Sequence, residues 1–238
     1  MWGFLLISSG LFCFYLWWRS NLLLQECPRG SSDFLHVETL MSNTIVGHEN
    51  NVPFTDYEIY KVYKIYNPEL TKRIEKTKEE LKQLTWIWSA KKTNNKRILF
   101  HGSPHAKKIA EKGFDVNASS SGNMFGKGIY LTSLSSKANQ YVWQRKGCPK
   151  HKREDCNLCI RTMLICRCVM GKEFRTVTPT TAVPAKYHSI VAIPTCNDSS
   201  LKFPEFVFLN ENQVEPLFYI EYKILHIQND DAVSCTIA

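Results

Sequence analysis

Four soft ligands fall within twelve residues, Cys148, His151, Cys156 and Cys159, in the spacing C-x2-H-x4-C-x2-C. Two paired ligand steps on a short loop suit a closed tetrahedral zinc site. With all four positions filled by protein no place remains for a catalytic water, so the expected ion is structural. The chain has nine cysteines, an odd number with one tight cluster, which fits a reducing compartment with a metal better than a secreted disulfide framework. Cys166 and Cys168 alternate along a strand-like run and read as small buried apolar residues rather than further ligands.

A second cluster, Gly122 to Gly128 (GNMFGKG), invites a phosphate-loop reading and fails it. A P-loop needs Ser or Thr after its Lys and four residues between its glycines. A dinucleotide fingerprint needs G-x-G-x-x-G leading into a helix, whereas Gly128 leads into strand-like residues. By themselves these glycines describe a tight turn.

Three segments say more together: LFHGSP (Leu99 to Pro104), MFGKGIYL (Met124 to Leu131) running on to SSKANQYV (Ser135 to Val142), and PEFVFL (Pro204 to Leu209). In this order and approximate spacing they resemble the catalytic domain of the poly(ADP-ribose) polymerase family over residues 53–227. Within that family they are most similar to the tankyrase branch, which carries a short zinc loop at the matching place. The resemblance implies a fold of two small, mostly antiparallel sheets around an NAD cleft. It also implies an activity, transfer of ADP-ribose from NAD to protein side chains with release of nicotinamide.

Residue by residue, the resemblance implies that His101, Tyr130 and Glu205 form the His-Tyr-Glu set. His101 would bond the adenine-side ribose, and Gly102 would grip the nicotinamide carboxamide through its backbone. Ser103 and Lys137 would join the NAD-binding residues, Tyr141 would stack on nicotinamide, and Glu205 would be the catalytic glutamate. The chemistry explains these types. Cleavage of the bond to nicotinamide develops oxocarbenium-like charge on the ribose, and a carboxylate held on the 2′-hydroxyl stabilises it. All three members of the set being present favours polymer synthesis over single transfer.

One position departs from the family. Ser usually follows the lysine of this helix and gives its hydroxyl to the carboxamide; here the residue is Ala138, with Ser135 and Ser136 as substitutes in reach of the sequence. The competing reading is a catalytically degenerate module that binds NAD or ADP-ribose and docks partners.

The elements that must position these residues are legible in part. Tyr57 to Ile65 alternates aromatic and β-branched residues and predicts a strand. Asn67-Pro68 then supplies an N-cap and a first-turn proline for an amphipathic helix carrying Leu70, Ile74, Leu81 and Leu84 on one face. Arg97 to Phe100 predicts a strand, Ser103-Pro104 opens a short helix and Gly113 ends it. Short strands follow at 128–131, 161–170, 188–193, 205–209 and 217–225. No helix alternates with them, so the expected class is α+β rather than a doubly wound parallel sheet.

Residues 1–18 carry no charged side chain and are rich in Trp, Phe and Leu. As a helix they would rise about 27 Å, close to the hydrocarbon core of a bilayer, which predicts a transmembrane anchor over 1–20. Arg19 and Arg29 follow it and weakly place the bulk of the chain in the cytosol; an artefactual N-terminus would instead leave a cytoplasmic or nuclear protein. Residues 21–52 read as a juxtamembrane linker and 228–238 as a tail.

The chain's 238 residues, 44% hydrophobic and 22% charged, accommodate one sizeable domain and exclude a disordered chain or a multidomain scaffold. The net charge of +8 is concentrated between Tyr60 and Lys112, where 14 Lys and Arg face 5 acids. Acidic partners suit that face, but no aromatic-basic recognition motif accompanies it, so nucleic acid is not the expected main partner. NAD, protein acceptors and a membrane are.

Overall fold

The computed structural model describes residues 23–48, 54–85, 95–144, 146–181, 183–194 and 201–226. The alternating run forms strand β2 (Asp56–Tyr66), with Tyr57, Ile59, Val62 and Ile65 buried. In an antiparallel five-stranded sheet it lies between β1 (Leu23–Glu26) and β9 (Val214–Leu225), and β5 (Arg161–Val169) and β3 (Lys96–Gly102) complete the order β1-β2-β9-β5-β3. β5 is buried along nearly its whole length because both faces are covered. Cys166 and Cys168 are among its core residues.

The second sheet has the order β4-β8-β7-β6, built from β4 (Ile129–Leu131), β8 (Glu205–Phe208), β7 (Ser189–Ala192) and β6 (Glu173–Thr176). Only the β6/β7 pair is parallel. The two sheets are stitched by a bridge in which Phe100 and Thr132 exchange backbone hydrogen bonds of 2.8 and 3.1 Å. Leu99, Leu131, Leu164, Phe206 and Phe208 fill the core around that seam. The class is α+β, as expected.

Residues 23–42, expected as linker, are folded. β1 pairs with β2, and helix α1 (Ser32–Ser42) buries Phe34, Val37 and Met41 against the outer sheet. Ser31 caps it, its side chain accepting from the Phe34 N–H at 3.3 Å. A pattern of Pro, Gly and Ser that resembles linker composition is here a turn and an N-cap.

Helix α2 (Pro68–Thr85) starts as expected, with Asn67 Oδ1 accepting from the Leu70 N–H at 3.2 Å. Much of its basic character is met on its own surface, through Arg73–Glu69, Lys76–Glu80, Lys78–Glu75 and Lys82–Glu79 pairs three or four residues apart. The helix itself is therefore nearly neutral, five basic residues against four acids, and the positive excess of the 60–112 stretch lies on residues outside it. Helix α3 (Ala106–Lys112) ends at Gly113, whose φ is +83°. Helix α4 (Ser135–Asn139) is short and almost wholly buried. None of the described helices is long and apolar enough to cross a membrane; the expected anchor over 1–20 and the tail over 228–238 lie outside the described residues.

Candidate active site

β3 delivers His101 and Gly102 to the seam between the sheets. His101 Nδ1 lies 2.9 Å from the Tyr130 carbonyl oxygen, so Nδ1 carries the proton and donates, which leaves Nε2 as the ring atom open to a ligand. The imidazole meets the Phe114 ring edge-on at 5.0 Å, and burial holds its pKa below the ordinary 6.5. It is a neutral hydrogen-bonding group at pH 7.

Tyr130, on β4, fixes the glycine loop. Its hydroxyl donates to the Gly126 carbonyl at 2.8 Å and accepts from the Phe125 N–H at 3.1 Å. Burial raises its pKa, the Phe125 N–H opposes that, and the negative charge of Glu205 adds to it. The 122–128 loop is thus a turn held from within by a phenol.

Glu205 opens β8. Pairing of β8 with β4 sets Val207 opposite Tyr130 and Phe206 opposite Leu131, which brings the start of β8 beside Thr132. Thr132 donates its hydroxyl to the Pro204 carbonyl at 2.9 Å while its backbone bonds Phe100, so one residue ties the strands bearing His101, Tyr130 and Glu205. Spacing alone gave no sign of that role.

The Glu205 carboxylate lies 3.5 Å from the Lys137 ammonium, and both side chains are only 14% exposed. Lys137 also faces the Tyr141 ring at 5.4 Å and the Phe203 ring at 5.6 Å. Tyr141, one turn beyond Lys137, is 37% exposed as a residue, so its ring can stack on a planar ligand. Ser103 is buried, and its Oγ accepts from the His105 N–H at 3.1 Å, where it shapes the turn into α3.

Helix α4 is clamped from two sides. On one, Ser135 donates to the Met41 carbonyl at 2.7 Å and accepts from the Tyr57 hydroxyl at 3.1 Å. Ser136 accepts from the Val46 N–H at 3.0 Å. These hydroxyls are engaged with α1 and the segment after it, so neither substitutes for the hydroxyl missing at Ala138; the expectation that one could is corrected. On the other side Asn139 accepts from the Tyr222 hydroxyl at 2.9 Å and from buried Arg161 at 3.4 Å.

Arg161 leads to the metal cluster. It donates to the Glu154 and Cys156 carbonyls at 2.6 and 3.1 Å and lies over the Trp143 ring at 3.9 Å. Burial lowers its pKa. In the loop it holds, the four ligand atoms of Cys148, His151, Cys156 and Cys159 all lie within 4.8 Å of one another. His151 Nδ1 is 3.7, 3.3 and 3.4 Å from the three sulfurs in turn. Zn–S and Zn–N bonds of about 2.3 and 2.0 Å at tetrahedral angles give edges of about 3.5 Å, so the donor set and its size both fit zinc. Burial works against ionising Cys148, but backbone hydrogen bonds from Arg153 and His151 and the neighbouring thiols overcome it and draw its pKa down to about 6. A thiolate is the form a metal requires. The loop turns at Gly147, whose φ is +74° and where a Cβ would strike the Lys152 backbone at 2.4 Å.

The chain matches the family model for the poly(ADP-ribose) polymerase catalytic domain over residues 31–194. That span opens at the cap of α1, runs through His101, Tyr130, Lys137 and the metal loop, and stops before Glu205. With more than two thirds of its length matched and a two-sheet α+β fold to carry the match, the chain belongs to the poly(ADP-ribose) polymerase catalytic-domain family.

Proposed function

We propose that this chain is a working NAD-dependent ADP-ribosyltransferase of the tankyrase type, which moves ADP-ribose from NAD to protein acceptors and releases nicotinamide. The reading is carried above all by the Glu205 carboxylate beside Lys137, at the start of a strand in register with the one that bears Tyr130. His101, neutral and with Nε2 open, holds a ribose hydroxyl; the Gly102 backbone holds the carboxamide; Tyr141 supplies a face for the nicotinamide ring. Glu205 on the ribose 2′-hydroxyl stabilises the cation that forms as nicotinamide departs. Lys137, 3.5 Å away, holds that carboxylate in position.

The Cys148, His151, Cys156 and Cys159 set holds a structural zinc. Bound there, the ion closes the loop; it takes no part in the reaction. The complete His101, Tyr130 and Glu205 set favours polymer over single units, which the size distribution of labelled product tests. Anchoring through residues 1–20, with the domain facing the cytosol, is supported by their composition and is tested by fractionating cells that express chains with and without them.

Ala138 is the one observation that favours the alternative, a degenerate module that binds NAD without chemistry. Incubation with NAD labelled in its adenylate half separates the two. Covalent label on protein supports the transferase; reversible binding without label supports the module.

A further inference from the structure

Of the basic residues between Tyr60 and Lys112 that lie outside α2, Lys61, Lys64, Lys96 and Arg97 are paired with Glu26, Asp33, Glu75 and Glu173. Lys107, Lys108 and Lys112, all on α3 and all exposed, form no ion pair among the described residues. The unneutralised charge is therefore gathered on one short helix. Lys72, near the start of α2, is likewise exposed and without an ion pair among the described residues. α2 starts against the end of α3, where the Asn67 amide donates to the Glu111 carbonyl at 3.0 Å. These four lysines are set against two acids, Glu111 and Asp115.

The chain enters the fold at the same place. Leu23 opens β1 opposite Tyr66, the residue before Asn67. Trp18, the last residue of the charge-free run, is five chain steps from Leu23, a reach of at most about 18 Å when fully extended. The headgroup layer takes up about 6 Å of that distance, and the Debye length at physiological salt is about 8 Å. Even a stretched tether therefore leaves Leu23 about one and a half Debye lengths from the headgroups, and any slack brings it closer. The metal loop is out of reach: β2 runs about 33 Å from Tyr66 to Asp56, and the loop lies at the Asp56 end. There the Asp155 carbonyl accepts from His226, which follows Leu225, the partner of Asp56.

We propose that the lysine face at the end of α3 docks on anionic lipid headgroups of the membrane that holds residues 1–18. The inference rests on the anchoring reading above. So small a net charge binds a free domain weakly, but on a short tether the effective concentration of headgroups is high. The contact then fixes which side of the domain meets the lipid.

The test uses the full chain in vesicles of phosphatidylcholine alone or of phosphatidylcholine with phosphatidylserine. Flotation reads anchoring, and an impermeant amine-acetylating reagent followed by mass spectrometry reads which lysines the lipid covers. Acetylation of Lys107, Lys108 and Lys112 should be about fivefold slower on the phosphatidylserine vesicles and recover in high salt. Lys150 and Lys152, in the metal loop, should react alike on both, which also shows that the domain faces outward. Lys108→Glu combined with Lys112→Glu should float as the wild type does and lose the lipid dependence at Lys107. Chain that floats with both vesicles and shows no such difference, or shows it at Lys150 and Lys152 instead, overturns the inference alone. Protection that appears only when NAD is added assigns these lysines to an anionic product and overturns it too. Chain that floats with neither vesicle overturns the anchoring reading, and this one with it.

Discussion

Gly102 lies so close to helix α4 that a Cβ added to it would sit 1.8 Å from the carbonyl oxygen of Ala138. The obstacle is backbone, so it cannot swing aside. Gly102→Ala must therefore displace α4 together with Lys137, or move the end of β3. We expect NAD binding to be lost and stability to fall by about 1 to 3 kcal/mol, the usual cost of overpacking. Calorimetric titration with NAD and a denaturant curve check both; wild-type affinity in this variant would contradict the packing described here.

Ala138 itself offers a gain. Ser135 and Ser136 are committed to Met41 and Val46, so neither supplies the hydroxyl that the family resemblance leads one to expect directly after Lys137. Restoring it with Ala138→Ser should tighten NAD by one neutral hydrogen bond, about 0.5 to 1.5 kcal/mol. The titration that measures the wild type reads this directly, and an unchanged or weaker affinity counts against Ala138 as the weak point.

The metal loop should release its order with its ion. Purified chain is expected to carry one zinc, and a chelator should lower Tm and expose residues 148–159 to protease. Cys159→Ser, which removes one ligand, should reproduce the effect without chelator. Protein that is metal-free yet equally stable would remove zinc from the account.

Acid should destabilise the fold. His48, His101 and His188 all have pKa values below the ordinary 6.5, chiefly because they are buried, and His188 Nδ1 accepts from the Lys172 N–H at 2.9 Å. An imidazole with a lowered folded pKa binds protons more readily once unfolded. Stability that is full above pH 6.5 is therefore lost as pH falls below it. Tm measured from pH 7.5 to 5.5 should drop, with a shallower slope in His188→Asn, which is distant in sequence from the metal loop. A flat profile would mean that these rings titrate normally.

Much of this was readable from sequence, and what was not has physical causes. The metal ligands are legible because their spacing within one loop needs no knowledge of the rest of the fold. The α2 cap at Asn67-Pro68 is equally local. By contrast α1 was obscured by Pro28, Gly30, Ser31 and Ser32, residues that serve linkers and helix caps alike, although Phe34, Val37 and Met41 carried a helical period. β6 shows no alternation because all four of its residues are only partly covered or exposed. Thr132 and Arg161 act through partners far away in the chain, and no local pattern announces such contacts. Deleting residues 23–42 should consequently weaken NAD binding through α4, even though none of those residues is assigned to NAD.

In the proposed reaction the carboxylate of Glu205, held beside Lys137, stabilises the charge that builds on the ribose. Glu205→Gln keeps the shape and a hydrogen bond but removes the charge. The decisive measurement is the rate of nicotinamide release by this variant at saturating NAD, with NAD affinity measured in parallel. A rate lower by about 10² to 10³ at unchanged affinity is the predicted result; release at the wild-type rate would contradict it.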